Sequence, residues 1–187
     1  MVEGPDPAPA VILNRTGATD SLPVPDEKTG ADSRESYSLR VTSDGAEIEA
    51  RSSAGLFYAV HTLCQLVEGD GNQACLPLVE IRDWPSLAYR GTMVDMSHGP
   101  LPTEEEVKRQ LDLLASYKGN QYYFYNEASI ELEGYRILNP KGRFTREQIC
   151  RIVDYARQRH IDVVPCLELY GHLHDLFRVE RFSDLAV

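Results

Sequence analysis

The 187 residues carry a formal net charge of −10, with 42% hydrophobic and 26% charged side chains. That composition is ordinary for a folded protein, and the length suits one domain or a small one plus part of another. The acidity argues against nucleic acid and against an anionic membrane surface, both of which call for basic patches. No apolar run approaches the ~20 residues that cross a bilayer.

Residues 1–36 are rich in Pro, Gly, Asp and Ser, and only Ala10-Val11-Ile12-Leu13 reads as a strand. Pro23, Pro25 and Gly30 punctuate a loop. This stretch reads as a poorly ordered or partial N-terminal segment. Met1–Ala10 has no apolar h-region and is no signal peptide. Localisation stays open, export of the intact protein included.

Residues 37–83 form a better-defined unit. Tyr37, Leu39 and Val41 alternate with polar residues, Ser43-Asp44-Gly45 turns the chain, and Ala46, Ile48 and Ala50 alternate again. The pattern predicts an antiparallel hairpin. Ser52-Ser53 then caps a helix carrying Leu56, Val60, Leu63 and Val67 at helical spacing. Leu76, Leu78 and Ile81 suggest a further strand, which makes a small β-β-α-β layer. His61 lies mid-helix and reads as a solvated or core-edge histidine.

Arg82-Asp83-Trp84-Pro85 marks a junction. Beyond it, residues 84–187 spell β-α-β-α-β. The strands are Thr92–Met96, Gln121–Tyr125 and the apolar run from Ile161 to Leu169. Two helices lie between them, each predicted to open on a capping box, Thr103 with Glu106 and Thr145 with Gln148. Gly119 closes the first helix. Asn126–Arg143 is a polar loop containing Asn139-Pro140. Such units build parallel sheets with right-handed crossovers, and a (β/α)8 barrel is the matching architecture. The expected fold is therefore α/β: a small N-terminal α/β domain followed by the first three β/α units of an incomplete barrel. The four cysteines, Cys64, Cys75, Cys150 and Cys166, show no metal or disulfide spacing and read as small buried hydrophobes.

In α/β folds chemistry collects at the C-terminal ends of parallel strands. The first strand end offers Asp95, Ser97 and His98. The second offers Tyr125, Asn126 and Glu127. The third offers Glu168, Tyr170, His172 and His174. This set suits polyol binding or acid/base work. Each residue taken singly also has a structural reading: Asp95 as a turn cap, Glu127 as a solvated loop acid, His172 as a partner for a backbone carbonyl. His172-x-His174 with Glu168 could form a metal pair, but Gly171 turns the chain between strand and loop. No metal site is expected from that pair.

With those residues in place, the chain resembles glycoside hydrolase family 20, the β-N-acetylhexosaminidases, from about Tyr37 to Phe177. The likeness rests on the order and spacing of Tyr37-Ser-Leu-Arg-Val-Thr-Ser-Asp-Gly, Ala54-Gly-Leu-Phe-Tyr-Ala-Val-His, Asp83-Trp84-Pro85, Tyr89-Arg90-Gly91, Val94-Asp95-Met96-Ser97, Lys118-Gly119-Asn120, Thr145-Arg-Glu-Gln-Ile and Gly171-His172. The resemblance implies removal of terminal β-linked N-acetylhexosamine from a carbohydrate, with no cofactor. It implies a retaining mechanism in which the substrate's own acetamido oxygen is the nucleophile, and it places the catalytic Asp-Glu pair after a fourth strand, beyond Val187. His172 and Glu127 take supporting roles. His98, Asp95, Glu168 and Tyr125 take sugar-binding positions. The sequence departs from the family at His98, where an Arg is usual, at Glu127, and at Glu168, where an Asp is usual. Two rival readings remain: a non-catalytic carbohydrate-binding or degenerate hydrolase-like protein, and a metal-dependent barrel hydrolase.

Overall fold

The computed structural model describes residues 10–18, 26–135, 137–138 and 142–186. The readings of Met1–Pro9 as lacking a signal peptide, of Pro23 and Pro25 as loop, and of the Asn139-Pro140 turn lie outside those residues. The chain divides into two compact units, Met1–Tyr89 and Arg90–Val187.

The first unit contains β1 (Ala10–Arg15), β2 (Tyr37–Thr42), β3 (Gly45–Ala50), α1 (Ser53–Gln65) and β4 (Val79–Asp83). Its sheet has the order β1-β3-β2-β4. The alternation read from the sequence sets the register: Leu39 lies opposite Ile48, and both are fully buried. Tyr37, Val41, Ala46 and Ala50 complete the covered face. β1 pairs in parallel with β3. The sheet thus takes in residues that the sequence pattern left in a partial N-terminal segment. A single exposed strand carries no periodic signal to show where it docks.

Ser52 caps α1, its hydroxyl accepting from the Gly55 amide at 3.1 Å. The helix buries Ala54, Tyr58, Ala59 and Leu63, with Leu56 and Val60 only partly covered. The buried stripe is therefore rotated from the one predicted. Gly55 permits this: a Cβ there would lie 2.6 Å from the Ser36 carbonyl oxygen and 2.8 Å from the Ala50 methyl. His61 packs edge-on to Phe57 at 4.6 Å.

The second unit runs β5 (Gly91–Asp95), α2 (Glu104–Ser116), β6 (Gln121–Asn126), α3 (Arg146–Arg157), β7 (Asp162–Leu167) and the short α4 (His174–Phe177). The three strands are parallel, with β6 central. Val107, Leu111 and Ala115 of α2 and Ile152 and Ala156 of α3 are buried, together with Tyr122, Phe124, Phe144 and Ile161. This is the helix-on-sheet layering that parallel strands require.

Thr145 and Gln148 form a complete capping box. At Thr103 only half of one forms. Its hydroxyl accepts from the Glu106 amide, but the Glu106 carboxylate is taken by Arg109 and Gln110. A nearby guanidinium outcompetes a backbone amide for a carboxylate. α2 ends on Lys118, not Gly119, in the left-handed region at φ 58°. The Lys118 amide donates to Ala115 O and the Gly119 amide to Leu114 O, a Schellman closure. Gly119 is needed because any Cβ there would collide with the Leu114 side chain.

α2 and α3 are tied by charge. Glu104 accepts from Lys108 at 2.7 Å and from Arg151 at 2.7 Å. Asp112 accepts from the Tyr155 hydroxyl and from Arg159.

One expectation is corrected here. Cys64, Cys75 and Cys150 are exposed and Cys166 is half-buried, all as free thiols. Cys150 lies off the Ile152–Ala156 stripe of α3. β7 is for the most part half-buried, and Leu167 is 56% exposed. β7 pairs with β6 alone among the described residues, so its apolar run is only partly covered.

Candidate active site

The site lies at the C-terminal ends of β5, β6 and β7. Beyond β5 the chain folds back on Asp95. Its Oδ1 accepts from the amides of Ser97 at 2.7 Å and His98 at 3.1 Å, an Asx turn. Its Oδ2 meets His98 Nδ1 at 2.7 Å. Desolvation alone would raise the Asp95 pKa. The Ser97 amide, the His98 ring and the His98 amide overcome it and hold the carboxyl below its ordinary value. The reciprocal effect raises the His98 pKa, chiefly through the hydrogen bond and charge of Asp95, with Glu127 adding to it.

Beyond β6 the loop is anchored to the first strand end. Glu127 N donates to Ser97 Oγ at 2.8 Å, and Ser129 Oγ donates to Met96 O at 2.6 Å. Asn126, itself buried, accepts from the Ser129 amide. These bonds carry the Glu127 side chain inward until only 5% of it is exposed. Tyr125 donates its hydroxyl to Glu127 Oε1 at 2.9 Å. Burial first, then the carboxylates of Glu127 and Glu168, push the Tyr125 phenol well above its ordinary pKa. Tyr125 is a neutral donor at any physiological pH.

Beyond β7, Glu168 stands beside that phenol. Leu169 and Tyr170 are exposed. His172 then adopts a left-handed backbone, φ 56°, a conformation that costs an L-residue roughly 1–2 kcal/mol. The turn points its Nδ1 at Glu127 Oε1, 3.2 Å away. His98 Nε2 faces the same oxygen at 3.7 Å, and the two imidazole rings lie 6.4 Å apart, edge to face.

One carboxylate oxygen is thus the meeting point of Tyr125, His172 and His98, with Asp95 behind His98. Because an ionised carboxylate only accepts, His172 Nδ1 carries the proton of its contact with Glu127. Its Nε2 is left to serve another group. The arrangement can relay charge and hold a neighbouring acid in place.

Asp95, His98, Tyr125, Glu127 and His172 are brought together, with Glu168 at their edge. His174 is not among them: it pairs with Asp175 at 3.3 Å, and so the His172-x-His174 pair does not form. The Ser129–Met96 bond was not foreseen. Its only sequence trace is the Asn126-x-x-Ser129 spacing of a side-chain-capped turn. A separate cavity, lined by Ile130, Leu132, Ile149 and Cys150 among others, holds none of these residues.

Comparison with known proteins converges on one family. Residues 5–84 match the profile of glycosyl hydrolase family 20, domain 2. Residues 87–181 match that of the family's catalytic domain. A beta-hexosaminidase of Porphyromonas gingivalis is 33% identical over 162 residues, 74% of this chain and 21% of that protein. One of Vibrio furnissii is 32% identical over 165 residues, 73% of this chain and 26% of that protein. Among solved structures, the chitobiase of Flavobacterium johnsoniae superposes with a TM-score of 0.71 at 33% identity, over 80% of this chain and 24% of that one. The N-acetyl-β-hexosaminidase of Streptomyces plicatus gives 0.73 at 28% identity, over 89% and 35%. The chain spans between a fifth and about a third of the length of these relatives.

Proposed function

The chain belongs to glycosyl hydrolase family 20, and we propose that the protein containing it removes terminal β-linked N-acetylglucosamine or N-acetylgalactosamine from glycans. On this reading residues 37–83 are the small α/β domain that precedes the barrel. Residues 84–187 form the first three β/α units of a (β/α)8 catalytic domain.

The observation that carries the proposal is the 3.2 Å contact between His172 Nδ1 and Glu127 Oε1. It holds an imidazole against a buried carboxylate at the strand ends where the barrel's chemistry collects. His172 is a positioning residue. Its free nitrogen orients and electrostatically tunes the general-acid Glu that follows the fourth strand, outside these 187 residues. That acid protonates the leaving oxygen while the substrate's acetamido oxygen attacks the anomeric carbon with retention. The Asp preceding the acid orients the acetamido group. His98, backed by Asp95, and Tyr125 with Glu168 contact the sugar hydroxyls. Membership of the family and the similarity to beta-hexosaminidases and a chitobiase support this reading. So does the polar strand-end cluster, which suits a neutral polyol and needs no cofactor.

The test is turnover of an aryl β-N-acetylglucosaminide. The full-length protein is expected to hydrolyse it with retention of anomeric configuration and to be inhibited by a cyclised acetamido analogue of the substrate. Residues 1–187 alone are expected to be inactive. Full-length protein that binds chitobiose without cleaving it would overturn the reading in favour of a carbohydrate-binding protein. Turnover by residues 1–187 alone would place the acid within this chain.

A further inference from the structure

We propose that His98 Nε2, Glu127 Oε1 and His172 Nδ1 form a binding site for one divalent transition-metal ion of the zinc class.

The ligand atoms of these three residues all lie within 4.8 Å of one another. The two contacts to the shared carboxylate oxygen measure 3.7 Å from His98 and 3.2 Å from His172. Ligands at tetrahedral zinc, with bonds of about 2.0–2.1 Å, stand about 3.3 Å apart. Only a small closure of the two exposed imidazoles separates the present geometry from a coordinated one.

The surroundings also fit. A metal-bound histidine normally hands its other ring nitrogen to a carboxylate, which fixes the tautomer. His98 Nδ1 already does so, meeting Asp95 Oδ2 at 2.7 Å. That bond turns Nε2 towards Glu127 Oε1, where a cation can stand in place of a proton between the two atoms. Glu127 is in turn held by the Tyr125 hydroxyl at 2.9 Å, and its backbone is tied to Ser97. Two histidines and one carboxylate from three strand ends leave a fourth position open to solvent, as in mononuclear zinc sites. On binding, the proton on His172 Nδ1 passes through solvent to Nε2, so a neutral ring coordinates the ion with no net loss of a proton.

This set is not the His172-x-His174 pair weighed from the sequence, since His174 is turned to Asp175. Nor does it depend on the hydrolase reading, because binding is measured without turnover.

The experiment is titration of the full-length, metal-stripped protein with Zn2+ by calorimetry, with Co2+ as a spectroscopic probe of coordination. One ion per chain is expected, with Co2+ absorption bands of a four- or five-coordinate nitrogen and oxygen site. His98→Ala, His172→Asn and Glu127→Gln are each expected to weaken binding at least about tenfold. Asp95→Asn, which removes only the support behind His98, is expected to weaken it by roughly 10- to 100-fold. His174→Ala is expected to change nothing. Far-UV circular dichroism separates loss of the site from loss of the fold. Zn2+ binding unchanged in a folded His98→Ala/His172→Asn protein would overturn the proposal, as would the absence of stoichiometric binding by the parent.

Discussion

Glu127 Oε1 lies 3.2 Å from His172 Nδ1, although the two residues stand on loops that follow different strands. Glu127 is almost wholly buried and His172 mostly exposed, so one acid anchors a ring whose far side is free for a partner. If this pair positions a general acid, its loss reduces kcat much more than it changes KM. Glu127→Gln and His172→Asn are each expected to lower kcat of the full-length enzyme by about 10- to 100-fold, less than the roughly 10²–10⁴-fold that a general acid itself contributes, because both residues act through it. Asn tolerates the left-handed backbone that His172 adopts, so the variant removes the imidazole without adding strain. Steady-state kinetics decide the point, and a purely structural role would lower expression or Tm while leaving kcat intact.

The helices behind the site should report on acid stability. Hydrogen bonds from Arg151 and then Lys108 hold Glu104 down to about 2, against about 4.3 when unfolded. A depressed folded-state pKa contributes stability that is complete above the unfolded value. It is lost as pH falls from about 4.5 towards 2. Glu104→Gln should therefore be less stable than the parent at pH 7 and converge with it near pH 2. Urea midpoints measured across that range test the convergence.

Lys118 closes α2 at φ 58°, where glycine is at ease and an L-residue is not. Lys118→Gly is expected to stabilise the chain by about 0.5–1 kcal/mol, the left-handed penalty less the extra freedom of glycine in the unfolded state. Gly119→Ala should destabilise it, because the new methyl meets Leu114. Denaturant unfolding of both variants gives the two signs.

A zinc ion on His98, Glu127 and His172 would occupy the contact that positions the acid. Where both readings hold, micromolar Zn2+ is expected to inhibit sugar release and a chelator to restore it. Activation by Zn2+ would instead assign the ion to the chemistry itself. Progress curves with and without chelator distinguish the two.

Much of the fold was legible in short-range pattern. The alternation of Tyr37, Leu39 and Val41 determined a half-buried strand, and Ser52, Thr103 and Thr145 marked three helix starts with their own side chains. The apolar faces of α2 and α3 and the β-α-β-α-β order followed from periods that any single element displays by itself. These features depend on neighbours a few residues away, which is why sequence alone could supply them.

The site was legible only as a set of candidates. That Asp95, His98, Glu127 and His172 sit on strand ends could be read from the sequence. Which of them meet could not, because that depends on the register of three parallel strands and on the paths of their loops. The Ser129–Met96 and Glu127–Ser97 bonds bury one acid that the sequence leaves looking like a solvated loop residue. The left-handed turn at His172 directs that ring inward, while the next histidine, His174, pairs with Asp175. The docking of β1 on β3 is of the same kind. Local periodicity determined the elements, and long-range hydrogen bonds and backbone turns with no periodic signature decided which side chains share one carboxylate oxygen.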